Sequence, residues 1–169
     1  MRKRRNRTVW QMTPGMTPME LARYQASCLT AAEWNVQLVP VQAAIEALCR
    51  GEWEPGNWQP IFDALNRIES MLKLKRMPDH GLIHDGQTAF VSALDRQEAT
   101  GVRAFKAAEM AVIREIGRVY GELLLEITHR EFQMACAHTN ANVARIIRAR
   151  KSVVHTNHCV IELHAQAMP

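Results

Sequence analysis

Apolar residues recur along this chain at the three- and four-residue spacing of amphipathic helices. One helix is predicted by apolar positions separated by 4, 3, 4 and 3 residues, which form a narrow seam: Trp34, Leu38, Val41, Ile45 and Leu48. A turn over residues 52–56 separates it from a second helix with a similar apolar face: Trp58, Ile61, Leu65, Ile68 and Leu72. A third helix is predicted over residues 87–99, around Phe90, Val91 and Leu94.

Three Thr-x-x-Glu segments have the pattern of a capping box, in which the threonine and glutamate side chains satisfy free backbone N–H groups at a helix start. They are Thr17–Glu20, Thr30–Glu33 and Thr128–Glu131. The first has proline at the first helical position and predicts a short helix over about 18–27. The second begins the seam helix. The third begins the last helix, over about 129–150.

Proline, glycine and asparagine positions predict where these helices bend, begin or end. Pro40 lies inside the seam helix and should kink it or divide it near Val39. Gly51 occupies the place of a C-terminal cap, and Asn57 can cap the helix after the turn. Residues 73–86 contain one proline and two glycines, which predicts a loop.

The longest predicted helix covers about residues 102–126 and contains two glycines four positions apart. Its predicted core face is Phe105, Val112, Ile116, Val119, Leu123 and Ile127. Gly117 and Gly121 each cost about 1 kcal/mol relative to alanine inside a helix. Their shared side allows either close approach of another helix or a kink, and the sequence leaves both open.

These elements together predict an all-α fold, a single-domain bundle of about five to six helices. We expect a basic, unstructured arm at residues 1–16, a helical domain at 17–150 and a C-terminal extension at 151–169. The extension is expected to form either a short strand, around residues 153–161, or a loosely packed tail. A chain of 169 residues fits one such domain.

The positive charge of the chain is concentrated in the arm. The 21 basic residues include five at positions 2–7, so the rest of the chain carries 16 basic against 17 acidic side chains. The net charge of +4 is therefore a property of the arm, and the helical domain is close to neutral.

Targeting and membrane signals are weak in this sequence. Polar residues, Pro14 and Gly15 interrupt the segment after the basic start, so we expect neither a secretory signal nor an amphipathic transit helix. No apolar run approaches the ~20 residues that a bilayer span needs. The four cysteines are widely spaced without a Cys-x-x-Cys pair, which is typical of reduced thiols in a cytoplasm.

Several segments of the chain resemble those of a family of short proteobacterial proteins encoded by phages, plasmids and genomic islands. The resemblance rests on the start RKRRNRxVW and on diffuse segments up to about residue 147, among them Leu65–Met71, Glu98–Gly101 and Glu131–Phe132. It implies a mobile-element setting in a bacterial cytoplasm. It supplies no catalytic residues and no mechanism, and the last 20 or so residues fall outside it.

The arm is the strongest candidate for a binding site. Adjacent arginine and lysine side chains neutralise phosphates and gain affinity from counterion release rather than from base reading, and a tryptophan can stack on an exposed base. A second basic cluster closes the last helix, where cations also favour the helix dipole. The predicted nucleic-acid-binding or partner-binding residues are Arg2, Lys3, Arg4, Arg5, Arg7, Trp10, Arg145, Arg148, Arg150 and Lys151.

Metal and catalytic patterns are weaker. A zinc site would have to combine Cys136, His138, His155, His158 and Cys159, whose spacing matches no established zinc motif. Glu126 and His129 form a single Glu-x-x-His pair, whereas a di-iron site needs two. His80, His84 and Asp85 lie in the segment predicted as a loop. We therefore expect no catalytic residues, no metal and no cofactor.

The sequence thus predicts a non-enzymatic binding protein that engages nucleic acid or a nucleoprotein complex through its basic arm. One alternative is a protein-directed inhibitor of a host defence system, similar in action to an anti-CRISPR protein, that occludes a host complex. The second is a homo-oligomeric interaction module that uses the narrow seam of Trp34–Leu48.

Overall fold

The structure, a computed structural model, describes residues 16–152 and contains six α-helices in that range, confirming the all-α bundle. The helices are α1 (Pro18–Ala26), α2 (Ala31–Cys49), α3 (Pro55–Lys75), α4 (Leu82–Thr100), α5 (Ala107–Glu126) and α6 (His129–Ser152). Within those residues the extended backbone is limited to one isolated bridge, between Cys28 and Thr128. No described helix is long and apolar enough to cross a membrane. The expected arm and most of the C-terminal extension lie outside the described residues.

Helices α3 and α5 form the centre of the bundle. Helix α3 contacts α2, α4, α5 and α6, and α5 contacts α2, α3 and α4, while α1 packs on α6. The largest fully buried side chains come mainly from these two helices: Tyr120, Ile61, Leu65, Ile68, Met71, Ile113, Ile116 and Leu124, together with Phe90 and Ile127.

All three predicted capping boxes are present. The hydroxyls of Thr17, Thr30 and Thr128 accept hydrogen bonds from the backbone N–H three residues later, each at 3.3 Å. Each glutamate in turn accepts from the threonine's own backbone N–H, at 2.7 to 2.9 Å. Gly51 also ends α2 as predicted, with φ of 80°, and the N–H of Glu52 reaches back to the carbonyl of Ala47.

The predicted start of α3 is wrong. The helix begins at Pro55, because proline at the first helical position needs no backbone partner. Asn57 therefore lies inside the first turn, and its Nδ2 donates to the carbonyl of Glu52 instead of capping the helix. Of the two effects predicted for Pro40, division of the helix does not occur, because α2 continues through this residue.

The loop predicted over residues 73–86 is mostly helical. Helix α3 continues to Lys75 and α4 begins at Leu82, so only residues 76–81 connect them. Gly86 lies inside α4, where a Cβ would be 3.0 Å from Ile116 Cδ1 and 3.1 Å from Leu65. This glycine therefore lets α4 pack closely on α3 and α5, and it does not break the helix.

The predicted start of α5, at residue 102, is also wrong. Lys106 is the N-cap, and its N–H donates to Glu109 Oε2 at 2.6 Å. The residues before it are not helical, and Phe105 among them packs in an aromatic cluster, 4.8 Å from the Trp53 ring and 5.3 Å from that of Phe90. Phe105 thus belongs to the aromatic packing and lies before the first turn of α5.

The two glycines of α5 allow close helix approach, the first of the two alternatives. A Cβ on Gly117 would lie 2.6 Å from Ile45 Cδ1, and one on Gly121 would lie 3.3 Å from Leu38 Cδ2. Trp34 Nε1 donates to the carbonyl of Gly121 at 3.0 Å. The seam of α2 thus packs against α5 of the same chain, which removes the basis for using that seam in a homo-oligomer.

Candidate functional site

Of the predicted binding residues, the structure describes the side chains of two. Arg145 and Arg148 lie on α6 and are both exposed. Arg150 and Lys151 belong to the same helix by their backbone, but their side chains lie outside what the structure describes. The arm residues also lie outside the described range: Arg2, Lys3, Arg4, Arg5, Arg7 and Trp10.

Helix α6 carries Arg145 and Arg148 away from the core. Among the α6 side chains that the structure describes, the buried ones are His129 and Ala135, both in the first half of the helix. Beyond Thr139 every described side chain is half-buried or exposed. Three residues apart, the two arginines share one side of the helix. This end of α6 is therefore an accessible surface that contributes little to the packing.

The guanidinium groups of Arg145 and Arg148 have no carboxylate within ion-pair distance among residues 16–152. Several other cations of the helical domain are paired: Arg50 with Glu52, Lys73 with Glu69, Arg96 with Glu109, and Arg118 with Glu115 and Glu122. An anion that approaches the end of α6 therefore meets two cations with no competing carboxylate.

The basic side chains at the end of α3 are only partly free in solvent. Lys73 forms an exposed pair with Glu69, at 2.5 Å. Lys75 Nζ donates to the carbonyl of Glu126 at 3.0 Å and so joins the ends of α3 and α5. Arg76 ends the helix in a left-handed conformation. Lys75 therefore has a structural role.

Two of the five candidate zinc ligands, Cys136 and His138, lie in the described part of the chain, and their geometry does not support a zinc site. Cys136 and His138 are two positions apart on a helix, so they point about 200° apart. Ser70 Oγ lies 3.0 Å from His138 Nδ1, and burial raises the pKa of the Cys136 thiol, which disfavours the thiolate that zinc binds. The described residues contain no group of three metal-ligating side chains. The other three candidate zinc ligands lie outside the described residues: His155, His158 and Cys159.

The Glu-x-x-His pair also does not form. His129 is buried, and its Nε2 lies 2.9 Å from an oxygen of Glu33 rather than near Glu126. Its Nδ1 lies 2.9 Å from the carbonyl oxygen of Ser27. The Ser27 hydroxyl also lies 3.2 Å from Nδ1, so both ring nitrogens have polar partners. His129 therefore holds the α1–α2 junction against α6.

Glu33 is the centre of this cluster. Its carboxylate accepts hydrogen bonds from the hydroxyl and backbone N–H of Thr30, from His129 and from the Tyr24 hydroxyl. The two bonds from Thr30, with that from His129, lower the pKa of Glu33 to about 2. Burial and the Glu33 carboxylate raise the pKa of Tyr24. The cluster holds its carboxylate as an anion and is suited to structure rather than to proton transfer near neutral pH.

A second polar cluster joins α3 to α6 and was missed by the sequence analysis. Ser70 is buried, and its hydroxyl lies 3.0 Å from His138 Nδ1 and 2.8 Å from the Thr139 hydroxyl. A serine beside a histidine has the composition of a nucleophile and base, but Ser70 is only 2% exposed. A substrate cannot reach its oxygen, so we assign the pair to helix packing.

A cleft of about 510 Å³ opens between α5, the end of α3 and the residue 76–81 turn. His80 and Asp85 line it, while His84 is exposed on the first turn of α4 and is not part of the lining. The predicted trio of His80, His84 and Asp85 therefore does not converge on one point. No sequence signal indicated this cleft, because its sides come from three helices.

No protein-family model, curated protein or solved structure matches this chain.

Proposed function

We propose that this protein is a non-enzymatic binding protein of a bacterial mobile element, and that it engages nucleic acid through its basic arm with help from the end of α6. The observation that carries the proposal is the charge distribution. Five cations occupy residues 2–7, against one excess negative charge in the rest of the chain.

The end of α6 supports this proposal. Arg145 and Arg148 are exposed and have no carboxylate partner among the described residues, so they are free to contact phosphates. Since the helix end contributes little to the core, its cations have few structural constraints. Binding of this kind reads the phosphate backbone and is independent of base sequence.

The test is the salt dependence of binding to a short labelled DNA duplex, measured by fluorescence anisotropy. Five arm contacts give a slope of log K against log [salt] of about −4.5, at about 0.9 per phosphate. The full chain with five arm cations replaced (R2Q/K3Q/R4Q/R5Q/R7Q) should lose most of this slope and keep its helical circular dichroism. An arm variant that binds as tightly as the wild type, with the same slope, contradicts the proposal.

The contribution of α6 is tested separately with R145Q/R148Q. If both arginines contact phosphates, the slope becomes less negative by about 1.8. The matched control is R50Q/K73Q, which removes the same charge from two cations already paired with Glu52 and Glu69. Equal effects of the two variants would show that only net charge matters and would remove α6 from the site.

A protein-directed inhibitor is the second candidate, and the outer face of α2 favours it. Val36 and Val39 are 68% and 52% exposed there, beside the exposed Pro40. Apolar side chains grouped on one helix face are typical of protein contacts. After nuclease treatment of a host lysate, a stoichiometric protein partner that is retained by the wild type and lost with V36Q/V39Q would favour this candidate. Loss of every partner on nuclease treatment would exclude it.

A further inference from the structure

The cleft between α5 and the residue 76–81 turn combines an apolar floor with an acidic rim. Its floor contains Leu72, Leu82, Val112, Val119 and Leu123. An aromatic or aliphatic side chain of a docking segment would find apolar surface there.

The rim of this cleft has a large excess of negative charge. Five carboxylates line it, with one guanidinium, that of Arg118. Arg118 pairs with two of the five, Glu115 and Glu122. The other three have no cation within ion-pair distance among the described residues: Asp79, Asp85 and Glu126. A cationic segment is therefore the complementary occupant.

Residues 2–10 have both of the required properties and are the most cationic segment of the chain. Residues 2–7 carry five cations, and Val9 and Trp10 follow them directly. The cations of this segment can meet the rim carboxylates while the apolar residues that follow them meet the adjoining apolar floor.

The residues that link the arm to α1 are numerous enough for Trp10 to reach the cleft. The Cys28–Thr128 bridge places the end of α1 beside the start of α6, and Glu126 on the cleft rim is two residues before Thr128. Helix α1 is nine residues, or roughly 13 Å, long. The chain between Trp10 and α1 can cover at most about 25 Å, at roughly 3.3 Å per residue. Trp10 is thus within reach of the floor.

We propose that the cleft between α5 and the residue 76–81 turn binds the basic arm of the same chain, with the arm cations at the rim carboxylates and Trp10 on the floor. The arm then has two alternative partners, this cleft and an external anion. The docking itself does not depend on nucleic-acid binding and holds whether or not that function is correct.

The test places a photo-cross-linker in the arm of the full chain, by the substitution Trp10→p-benzoylphenylalanine, which keeps an aromatic ring at this position. Irradiation of the dilute protein, followed by digestion and mass spectrometry, should give intramolecular cross-links to Leu72 or to residues 77–85 or 111–126. Cross-links that map elsewhere on the chain, or none, overturn the proposal. Cross-linked dimers would make the occupant the arm of a second copy and would also overturn it.

Charge variants provide the matched comparison. D79N/D85N/E126Q removes the three unpaired rim carboxylates, and E46Q/E54Q/D95N removes three carboxylates that do not line the cleft. Because an exposed ion pair contributes a factor of about two, the first variant should lower the ratio of docked to free arm about eightfold. The second should leave it near the wild-type value. Equal losses in both variants would contradict specific docking.

Addition of a DNA duplex separates this proposal from the proposed function. Loss of the intramolecular cross-link on adding DNA supports both. A cross-link to the cleft that DNA does not affect leaves the docking in place and contradicts nucleic-acid binding by the arm. Salt-dependent DNA binding without the cross-link supports nucleic-acid binding by the arm and contradicts its docking in the cleft.

Discussion

At the scale of single residues, the contact between Gly117 and Ile45 sets how closely α5 approaches α2. A Cβ on Gly117 would lie only 2.6 Å from Ile45 Cδ1. The Ile45 methyl group therefore determines how well an alanine fits at position 117. Ile45 Cδ1 is the end of a flexible, half-buried side chain, so it can move aside at a modest cost. We expect this cost to offset the gain in helix propensity, so that G117A changes the free energy of unfolding by less than about 1 kcal/mol.

The I45V background removes that Cδ1 atom, and with it the cost of moving the Ile45 side chain. There G117A should stabilise the protein by up to about 1 kcal/mol, because only the helix-propensity gain remains. The four proteins of this double-mutant cycle are compared by urea denaturation. Additive effects of the two substitutions would show that the Ile45 methyl group is not what limits residue 117.

Glu33 gives the protein a defined response to acid. Its pKa is lowered from 4.5 to about 2 by the bonds from Thr30 and by that from His129. The unfolded chain therefore binds the proton more tightly, and the stabilisation is fully present above about pH 4.5 and is lost as the pH falls towards 2.

The substitution E33Q should therefore lower stability at pH 7 and flatten its decrease between about pH 4.5 and 2.5, measured as the urea midpoint. Glu20 and Glu131 also have lowered pKa values from their capping boxes, so part of the wild-type slope should remain. The control E46Q, on the same helix, should keep the wild-type slope. An unchanged slope in E33Q would show that the Glu33 carboxylate is not specifically stabilised.

Residue-level contacts could be predicted where they are local. The capping boxes join side chain and backbone three residues apart, so the letters Thr-x-x-Glu are sufficient to predict them. The contact between Glu33 and His129 joins residues 96 positions apart, and no sequence pattern indicated it. The same holds for Ser70 and His138.

At the scale of elements, α2 retains a proline in its interior without being divided. Pro40 is exposed and supplies no N–H to the helix, so P40A should restore one backbone bond without loss of packing. An interior proline costs about 3 kcal/mol, and its rigidity in the unfolded chain offsets about 1 kcal/mol of this. We expect P40A to raise the free energy of unfolding by about 2 kcal/mol.

Pro18 is the matched control for Pro40. It occupies the first position of α1, where the missing N–H needs no partner. P18A should therefore lower stability slightly, by about 0.5 kcal/mol. A loss of stability in P40A would show that α2 depends on its proline, for example through a bend that the packing on α5 requires.

The element scale also shows why the core face of α5 was predicted only in part. The sequence pattern identified Ile116 and Leu123, whereas Ile113, Tyr120 and Leu124 are fully buried as well. Helix α5 contacts α2, α3 and α4, so its buried face is wider than a single stripe. Such a helix has apolar residues in several rows, and spacing alone does not show which rows are buried.

At the scale of the whole molecule, charge and packing are divided between different parts of the chain. The core comes mainly from α2 to α5, with contributions from Ile127 and the first half of α6. The excess of cations lies in the arm, and the exposed Arg145 and Arg148 lie at the far end of α6. Substitutions of the exposed Arg145 and Arg148 should therefore have little effect on stability, so they test the proposed binding separately from folding.

If the cleft and nucleic acid compete for the arm, a variant that weakens docking in the cleft should bind DNA more tightly. If part of the arm is docked, the apparent affinity for DNA is reduced by the fraction of molecules whose arm is free. D79N/D85N/E126Q should then bind a DNA duplex more tightly than the wild type, by up to about eightfold when docking dominates.

Net charge alone also strengthens DNA binding, so the comparison is made with E46Q/E54Q/D95N at the same ionic strength by fluorescence anisotropy. Both variants gain three units of positive charge, and only the first removes carboxylates from the cleft. Release of the arm predicts a larger gain for the cleft variant. It also predicts that this difference disappears when the arm cations are replaced (R2Q/K3Q/R4Q/R5Q/R7Q), because a neutral arm has no reason to occupy the cleft. Equal gains in the two variants would mean that the rim carboxylates act only through the overall field of the protein.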